Sequence, residues 1–173
     1  MEEQLTERLR LRAWSPGDLD AYARIVADPE VMTFMGSGPV NRTTAAQQIE
    51  HYETMYAAHG TPHWVAEDRA TGQLVGRIGL FHHPDWPLDP DNVEVGWLLA
   101  RARWGEGLAT EGARAAVAYA WRRLDTPQVI SLTLPENVRS RGVMERLGMT
   151  LRGRERWRGY EHVWYALDRP DGA

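Results

Sequence analysis

The sequence VEVGWLLARARWGEGLATEGARAAVAYAW, residues 93–121, decides the fold. It opens with Val93 to Leu99, an apolar run interrupted by Glu94, which predicts a buried strand. A short loop containing arginines then reaches the glycine pair Gly105 and Gly107, after which apolar residues recur at helical spacing. A strand that passes through a glycine turn into a helix predicts an α/β fold, with the next strand parallel to the first.

Working outward from this stretch, hydrophobic periodicity and turn signals divide the rest of the chain into short strands and helices. These elements are a strand at 9–13, a helix capped by Ser15, a loop at 31–40, a helix capped by Thr43 or Thr44, strands at 64–67, 74–81 and 129–134, a helix capped by Asn137, and strands at 150–157 and 162–167. No repeat or linker interrupts the sequence, so we expect one domain over residues 1–173. Its mixed sheet should have six to seven strands and about four flanking helices.

The composition is that of a soluble globular protein and excludes several classes of function. Hydrophobic residues make up 43% of the 173 residues, and the formal net charge of -4 argues against nucleic acid as a partner. The absence of cysteine excludes a thiol nucleophile and Cys-ligated metals, and the histidines, His82 and His83 included, show no metal-ligand spacing. We therefore expect no metal and no catalytic histidine. Without an apolar leader or a membrane span, we expect a cytoplasmic protein.

The turn before the long helix has the chemistry of an anion site. A helix N-terminus offers free backbone N–H groups and the positive end of the helix dipole, which together favour a phosphate or pyrophosphate. Gly105 and Gly107 let the backbone approach such an anion closely because they lack a Cβ atom. By itself the glycine spacing is a weak signal, and a purely structural turn stays open as an alternative. The turn lacks the third glycine of a dinucleotide fingerprint and the Lys-Ser/Thr of a P-loop, which disfavours NAD and ATP.

The segment ARWGEGLATEGARAAVAYAW resembles the pyrophosphate-binding turn and helix of the GNAT superfamily of N-acetyltransferases. Its Trp-Gly-Glu-Gly-Leu-Ala form is similar to the branch of ribosomal-protein N-terminal acetyltransferases, the RimJ/RimL-like proteins. TERLRLRAWSPGDLDAY resembles the opening strand and helix of that branch, DPEVMTFMG its substrate-side loop, and the stretch from Asn137 to Met149 its last helix and strand start. The resemblance covers nearly the whole chain in the same order.

The resemblance implies a GNAT fold with splayed parallel strands in the middle of the sheet and acetyl-CoA in the gap between them. It implies that cofactor contacts come from the end of one strand, the glycine turn and the last helix. These residues are Trp97, Leu98, Leu99, Arg103, Trp104, Gly105, Glu106, Gly107, Leu108, Ala109, Thr110, Asn137 and Arg141. Met144 stands where many members have a tyrosine that protonates the thiolate.

Two residues are candidate catalytic groups. Glu94 is a lone acid in an apolar strand that should border the gap, where a carboxylate can take a proton from an attacking amine. Ser140 is the candidate for protonating the thiolate in place of the missing tyrosine. Both also have structural interpretations, as a paired acid and as a first-turn helix residue. Met32, Phe34 and Met35 are candidates for the wall of the acceptor pocket, although core packing explains them nearly as well.

The sequence therefore favours an N-acetyltransferase that moves an acetyl group from acetyl-CoA directly to a primary amine. The acceptor, a protein N-terminus or a small molecule, stays open. We expect acetyl-CoA and the amine as partners, no nucleic acid and no membrane, and leave a homodimer open. The alternatives are a non-catalytic acyl-CoA-binding regulatory module, favoured by the missing tyrosine, and a nucleotide-phosphate binder of another fold.

Overall fold

The computed structural model describes residues 1–170 and has one eight-stranded sheet. The predicted domain extends to residue 173, and its last three residues lie outside the described part. The strands are β1 (Gln4–Leu5), β2 (Leu9–Arg12), β3 (His63–Asp68), β4 (Leu74–Phe81), β5 (Glu94–Leu99), β6 (Gln128–Thr133), β7 (Thr150–Trp157) and β8 (Tyr160–Asp168). The helices are α1 (Leu19–Val26), α2 (Arg42–His59), α3 (Leu108–Arg123) and α4 (Val138–Arg146).

The sheet order is β1-β2-β3-β4-β5-β6-β8-β7. Neighbouring strands are antiparallel except β5 and β6, which α3 connects as the sequence predicts. Within residues 1–170, the β5–β6 ladder contains a single parallel pair, Glu94 with Ile130. The two strands therefore separate directly after Glu94 and Ile130, and the predicted splay lies in the middle of the sheet.

Two layers of side chains cover the sheet. Helix α3 packs on one face, where Leu108, Ala113 and Val117 join Ile78 and Val95 in the larger core. The other face carries α1 and α2, with a second core around Tyr22, Tyr52, Val65 and Leu98. Because side chains alternate along β4 and β5, Arg77, Phe81, Glu94 and Leu98 share this second face.

Most predicted elements are present, with two local differences. β1 was not predicted because its two residues, Gln4–Leu5, are too short to show alternation. The cap of α2 is Asn41 rather than Thr43 or Thr44, and its side chain accepts a hydrogen bond from the Thr44 amide at 2.9 Å. Asn137 caps α4 as expected, accepting from the Ser140 amide.

Candidate active site

A cleft of about 990 Å³ opens where β5 and β6 part. One end is lined by the turn before α3 and by α4. The other end is lined by the loop before α2, by β4 and by the β7–β8 turn. The cleft therefore connects the predicted cofactor site with the face of the sheet that carries α1 and α2.

Backbone hydrogen bonds show which groups of β5 face the gap. The Ile130 amide donates to the Val93 carbonyl at 2.8 Å, and the Ser131 hydroxyl donates to the Val95 carbonyl at 2.9 Å. Backbone direction alternates along a strand, so the next residue whose N–H and C=O face the gap is Trp97. This corrects the expectation for Leu98. Its backbone faces β4, and Leu98 lines the cleft with its side chain.

Leu99 also faces the gap, but its carbonyl is already occupied. The indole Nε1 of Trp104 donates to the Leu99 oxygen at 2.9 Å. This bond ties the turn before α3 to the end of β5, because Trp104 is the first residue of that turn. The Trp104 side chain thus has a structural role, and its ring also lies 4.7 Å below the guanidinium of Arg139.

The turn itself forms a cradle of backbone amides. Gly105 and Gly107 have φ of 82° and 83°, a left-handed conformation that favours glycine. A Cβ atom on Gly105 would meet no atom within 4 Å, so the space in front of it is open. The first amides of α3, from Leu108 to Thr110, have no partner in a preceding helical turn. Gly107 caps this helix, and no side chain completes the cap.

Side chains from the start of the chain hold the cradle in place. Arg8 Nη1 donates to the Glu106 carbonyl at 2.7 Å, and Arg8 Nη2 lies 2.7 Å from the Glu111 carboxylate. Arg103 bridges Asp68 and Glu106 at 2.7 and 2.9 Å. An anion-binding turn stabilised from outside in this way is preorganised, because its amides do not have to rearrange on binding. These residues fit the diphosphate of coenzyme A.

The side chains of two predicted cofactor residues point away from the cleft. The Glu106 side chain is engaged by Arg103 and does not line the cleft, so only its main-chain amide belongs to the predicted cradle. The Arg141 side chain points to Tyr165 Oη at 3.3 Å and to the Pro135 carbonyl at 3.2 Å, because it leaves α4 on the side away from the cleft. Arg139 and Arg146 of α4 line the cleft instead. Arg139 and Arg141 are two positions apart, about 200° around the helix, so their side chains leave α4 on different sides.

Glu94 lies at the point where β5 and β6 separate. It is 8% exposed, and its Oε2 is 2.6 Å from Nε2 of His83. Its Oε1 is 3.4 Å from the Leu132 amide, across the gap. An ionised carboxylate only accepts hydrogen bonds, so the imidazole donates from Nε2. Glu94 and His83 line the cleft together.

Helix α4 brings Asn137 and Ser140 to the cleft. Besides capping the helix, Asn137 donates from Nδ2 to the Thr133 hydroxyl at 3.0 Å, which fixes α4 on the end of β6. The half-buried Ser140 presents its side chain to the cleft from the first turn. Met144 follows one turn later, is 1% exposed and fills the core.

The end of the cleft away from α4 is called the acceptor end, because the sequence predicts the acceptor there. The loop at 31–40 forms one wall of it. Phe34 and Met35 line the cleft. Met32 does not, because it is 2% exposed and packs in the second core, which corrects its assignment to the pocket wall. A Cβ atom on Gly36 would lie 3.5 Å from Cε2 of Tyr160, the first residue of β8. The two segments therefore meet over the acceptor end and roof it.

Two buried basic residues lie on the same face of the sheet as the acceptor end. Arg77 of β4 is 6% exposed and lines the cleft. His63 of β3 is 1% exposed and packs between the rings of Tyr52 and Phe81, at 4.6 and 4.1 Å. Burial, with the charge of Arg77 second, lowers the pKa of His63 to about 3. His63 is therefore neutral at physiological pH, whereas Arg77 keeps its charge.

Sequence reasoning did not identify His83 or Arg77. His83 was expected to have no catalytic task, yet it contacts the candidate base from a loop eleven residues before it. Arg77 lies in a strand whose neighbours are apolar, and nothing in the sequence distinguishes it from an edge arginine. Both residues acquire their positions from strand pairing. Among residues 1–170, no group of His, Asp or Glu has a metal-binding arrangement, and none of the helices there is long and apolar enough to cross a bilayer.

Comparison with known proteins places this geometry in a family. The model of the acetyltransferase (GNAT) domain matches residues 8–150. An acetyltransferase from Agrobacterium tumefaciens superposes with a TM-score of 0.85 at 30% identity, over 98% of this chain and 95% of that one. RimL, a ribosomal alpha-N-protein acetyltransferase solved in complex with coenzyme A, has a similar fold, with a TM-score of 0.80 at 16% identity over 96% and 98% of the two chains.

A relative with a named activity is the FsC-acetyl coenzyme A-N(2)-transacetylase of Aspergillus fumigatus. It is 32% identical over 152 residues, which cover 84% of this chain and 63% of that protein. The family match spans most of the chain, and the splayed strands and the glycine cradle described above lie within it. The protein belongs to the GNAT family of acetyltransferases, which use acetyl-CoA as the acyl donor.

Proposed function

We propose that the protein acetylates the primary amine of a small molecule by direct transfer. The observation that carries this proposal is a buried carboxylate, Glu94, which lines the covered cleft at the point where β5 and β6 separate. An alkylammonium with a pKa of about 10 must lose a proton before it can attack, so a carboxylate at the fork is useful there. His83 holds this carboxylate in place through the 2.6 Å contact between its Nε2 and Oε2 of Glu94.

The residues that would hold acetyl-CoA are those of the fork and the cradle. The amides from Gly105 to Thr110 would bind the diphosphate, Arg139 and Arg146 would add positive charge, and the backbone of Trp97 would be free to pair with the pantetheine arm. Bound acetyl-CoA supplies an acetyl thioester. The Trp97 N–H, which faces the gap, is the candidate donor to the thioester oxygen.

The transfer step forms one bond and breaks another. The amine nitrogen bonds to the acetyl carbon, and the carbon–sulfur bond breaks with its electron pair on sulfur. Glu94 accepts the proton that the amine loses, directly or through water. The Ser140 hydroxyl supplies the proton that sulfur gains. The products are an N-acetyl amide and the free thiol, and the enzyme side chains return to their starting states through exchange with solvent.

The roof favours a small acceptor over a protein N-terminus. A protein terminus needs an open groove for the residues that follow the amine, whereas the backbone at Gly36 approaches the Tyr160 ring across the acceptor end. The ion pair between Glu30 and Arg101, at 2.6 Å, ties the start of the same loop to the end of β5. These contacts hold the loop over the acceptor end, which leaves less room for a chain that continues beyond the amine.

An amine panel with thiol detection tests the proposal. Purified protein and acetyl-CoA are incubated with amino acids, polyamines, aminoglycosides and peptides with free N-termini, and free thiol is followed. We expect amine-dependent thiol release with small acceptors and little with peptides. Calorimetry with coenzyme A runs in parallel. Tight cofactor binding without release for any amine would favour the non-catalytic regulatory module, and preferred turnover of peptides would contradict the small acceptor.

A further inference from the structure

Arg77 is a buried cation on the acceptor face of the cleft. It lies on β4 opposite Leu98 of β5 and Val65 of β3, beneath α1 and α2. Its side chain extends along β4, so that Cζ lies 5.0 Å from the ring centre of Phe81 and 5.4 Å from that of Tyr52. The guanidinium therefore lies beside the ring that pairs with Glu94 in the sheet register.

The immediate neighbours of this cation are neutral. They are the faces of Tyr52 and Phe81 and the hydroxyl of Tyr22. Within residues 1–170, no carboxylate oxygen lies within 4.0 Å of the guanidinium, and its Nε is buried without a hydrogen-bond partner. Arg12, a partly buried arginine on the same face, has two carboxylates, Asp18 at 2.8 Å and Glu67 at 2.6 Å.

A buried guanidinium without a counterion is costly, and aromatic faces compensate only part of the lost hydration. Neutralisation is not available, because arginine stays protonated in proteins. Burial tends to lower the pKa of Arg77, but interactions with Tyr52, Tyr22 and Glu94 outweigh it and the net direction is upward. Glu94 attracts the guanidinium from a distance, but its carboxylate is hydrogen-bonded to His83. The charge of Arg77 thus lines the cleft without a carboxylate in direct contact.

The phosphates of the cofactor are poorly placed to meet this charge. The amide cradle precedes α3, which packs on the opposite face of the sheet, whereas Arg77 lies on the face of α1 and α2. The anion that pairs with the guanidinium of Arg77 must therefore belong to the molecule bound at the acceptor end. The guanidinium is planar and matches a carboxylate with two parallel hydrogen bonds.

We propose that the acceptor is a small amino carboxylate, whose carboxylate binds Arg77 while its amine faces Glu94. The rings of Phe81 and His83, whose centres are 6.1 Å apart, occupy the wall between the two charges. A free amino acid with an apolar side chain has an amine for Glu94, a carboxylate for Arg77 and an apolar surface for the rings of the wall. This inference rests on the proposed amine acetylation and adds the chemical class of the acceptor.

Matched pairs of acceptors test it. Free apolar amino acids, including ω-amino acids of increasing length, are each compared with their carboxamides, in which the amine is kept and the negative charge removed. For the preferred acceptor we expect kcat/KM to be at least about 100-fold higher for the acid than for its amide. In R77Q this ratio should fall to within about threefold of one, and R77K should recover part of it.

The control is R12Q. Arg12 is a partly buried arginine on the same face of the sheet, and it does not line the cleft. R12Q should leave the acid-to-amide ratio unchanged. Calorimetry gives a readout independent of turnover: the N-acetylated acid should bind the wild-type protein, and its amide should bind at least 100-fold more weakly. The wild-type ratio decides the proposal even where an Arg77 variant fails to fold.

The outcomes separate the two proposals. Acetylation of amides or peptide N-termini as efficiently as of free acids would overturn the role of Arg77 and leave amine acetylation standing. A ratio that survives in folded R77Q would do the same. Absence of acetylation for every amine, with coenzyme A still bound, would instead overturn the proposed function.

Discussion

Nε2 of His83 and Oε2 of Glu94 lie 2.6 Å apart at the point where β5 and β6 separate. The histidine comes from the loop that connects β4 to β5, eleven residues before Glu94, so the pair joins the start of that loop to the first residue of β5. The contact leaves the second carboxylate oxygen facing Leu132 and the gap. A carboxylate held in this way is fixed in one orientation, which suits the proposed acceptance of a proton from an amine in the cleft.

Glu94→Gln should lower kcat by about 100-fold or more, because general-base catalysis contributes 10²- to 10⁴-fold and the amide cannot accept the proton. Affinity for coenzyme A should be nearly unchanged, since the cradle is untouched. Steady-state kinetics and calorimetry measure the two quantities. Glu67→Gln, in an acid outside the cleft lining, is the matched control. Unchanged turnover in Glu94→Gln would remove Glu94 from the mechanism.

His83→Gln should retain more activity than His83→Ala, because a glutamine amide can still donate to Glu94. We expect His83→Ala to lower kcat about tenfold and to alter the pH dependence of kcat/KM, since the carboxylate loses its donor. The pH profile distinguishes this positioning role from a packing role. Equal pH profiles for the wild type and both variants would contradict it.

Gly105→Ala should weaken binding of coenzyme A by tenfold or more, because its methyl group enters the open space in front of the amide cradle. Left-handed backbone makes the change costly by about 1–2 kcal/mol as well. Gly72→Ala separates the two effects. Gly72 has φ of 70° and open space around it, but lies in the β3–β4 turn away from the cleft. Both variants should lose similar stability, and equal loss of cofactor affinity would contradict the assignment of the cradle.

Tyr160→Ala should raise the KM for the acceptor about tenfold and leave affinity for coenzyme A unchanged, because it removes the ring that meets the Gly36 segment. Tyr160 is about half exposed, so the fold should tolerate its loss. A panel of acceptors of increasing size measures the effect, and larger amines should gain relative to smaller ones. No change in acceptor KM or size preference would show that the roof does not shape the pocket.

His63→Phe should make the protein less sensitive to acid. The folded pKa of about 3 lies below the ordinary value of 6.5, so the unfolded chain takes up a proton at a pH where the folded chain does not. The contribution of His63 is fully present above pH 6.5 and is lost as the pH falls toward 3. At pH 5 this lowers the free energy of unfolding by about 2 kcal/mol relative to pH 8.

Phenylalanine removes this titration and suits the site, since both ring nitrogens of His63 lack hydrogen-bond partners between the aromatic rings. Urea unfolding at pH 8 and pH 5 measures the difference. Replacement of the exposed His51 by phenylalanine should leave the pH dependence as in the wild type. An equal loss of stability between pH 8 and pH 5 in wild type and His63→Phe would show that His63 is not the responsible group.

The sequence by itself determined the family, the order of nearly all elements and the anion-binding turn. These are local properties: hydrophobic period, caps and glycines act within a few residues, so spacing alone records them. Glu94 was recognisable for the same reason, as a charge inside an apolar strand. Asn137 was likewise recognisable as a helix cap.

Only the tertiary structure decided which side chains meet in the cleft. Strand pairing brought His83 to Glu94, turned the backbone of Trp97 rather than Leu98 to the gap, and left Arg77 without a carboxylate. The rotation of α4 brought Arg139 rather than Arg141 to the lining of the cleft, and packing placed Met32 in the core. These outcomes depend on register and rotation, where a shift of one residue moves a side chain to another face, and a single sequence does not encode them locally.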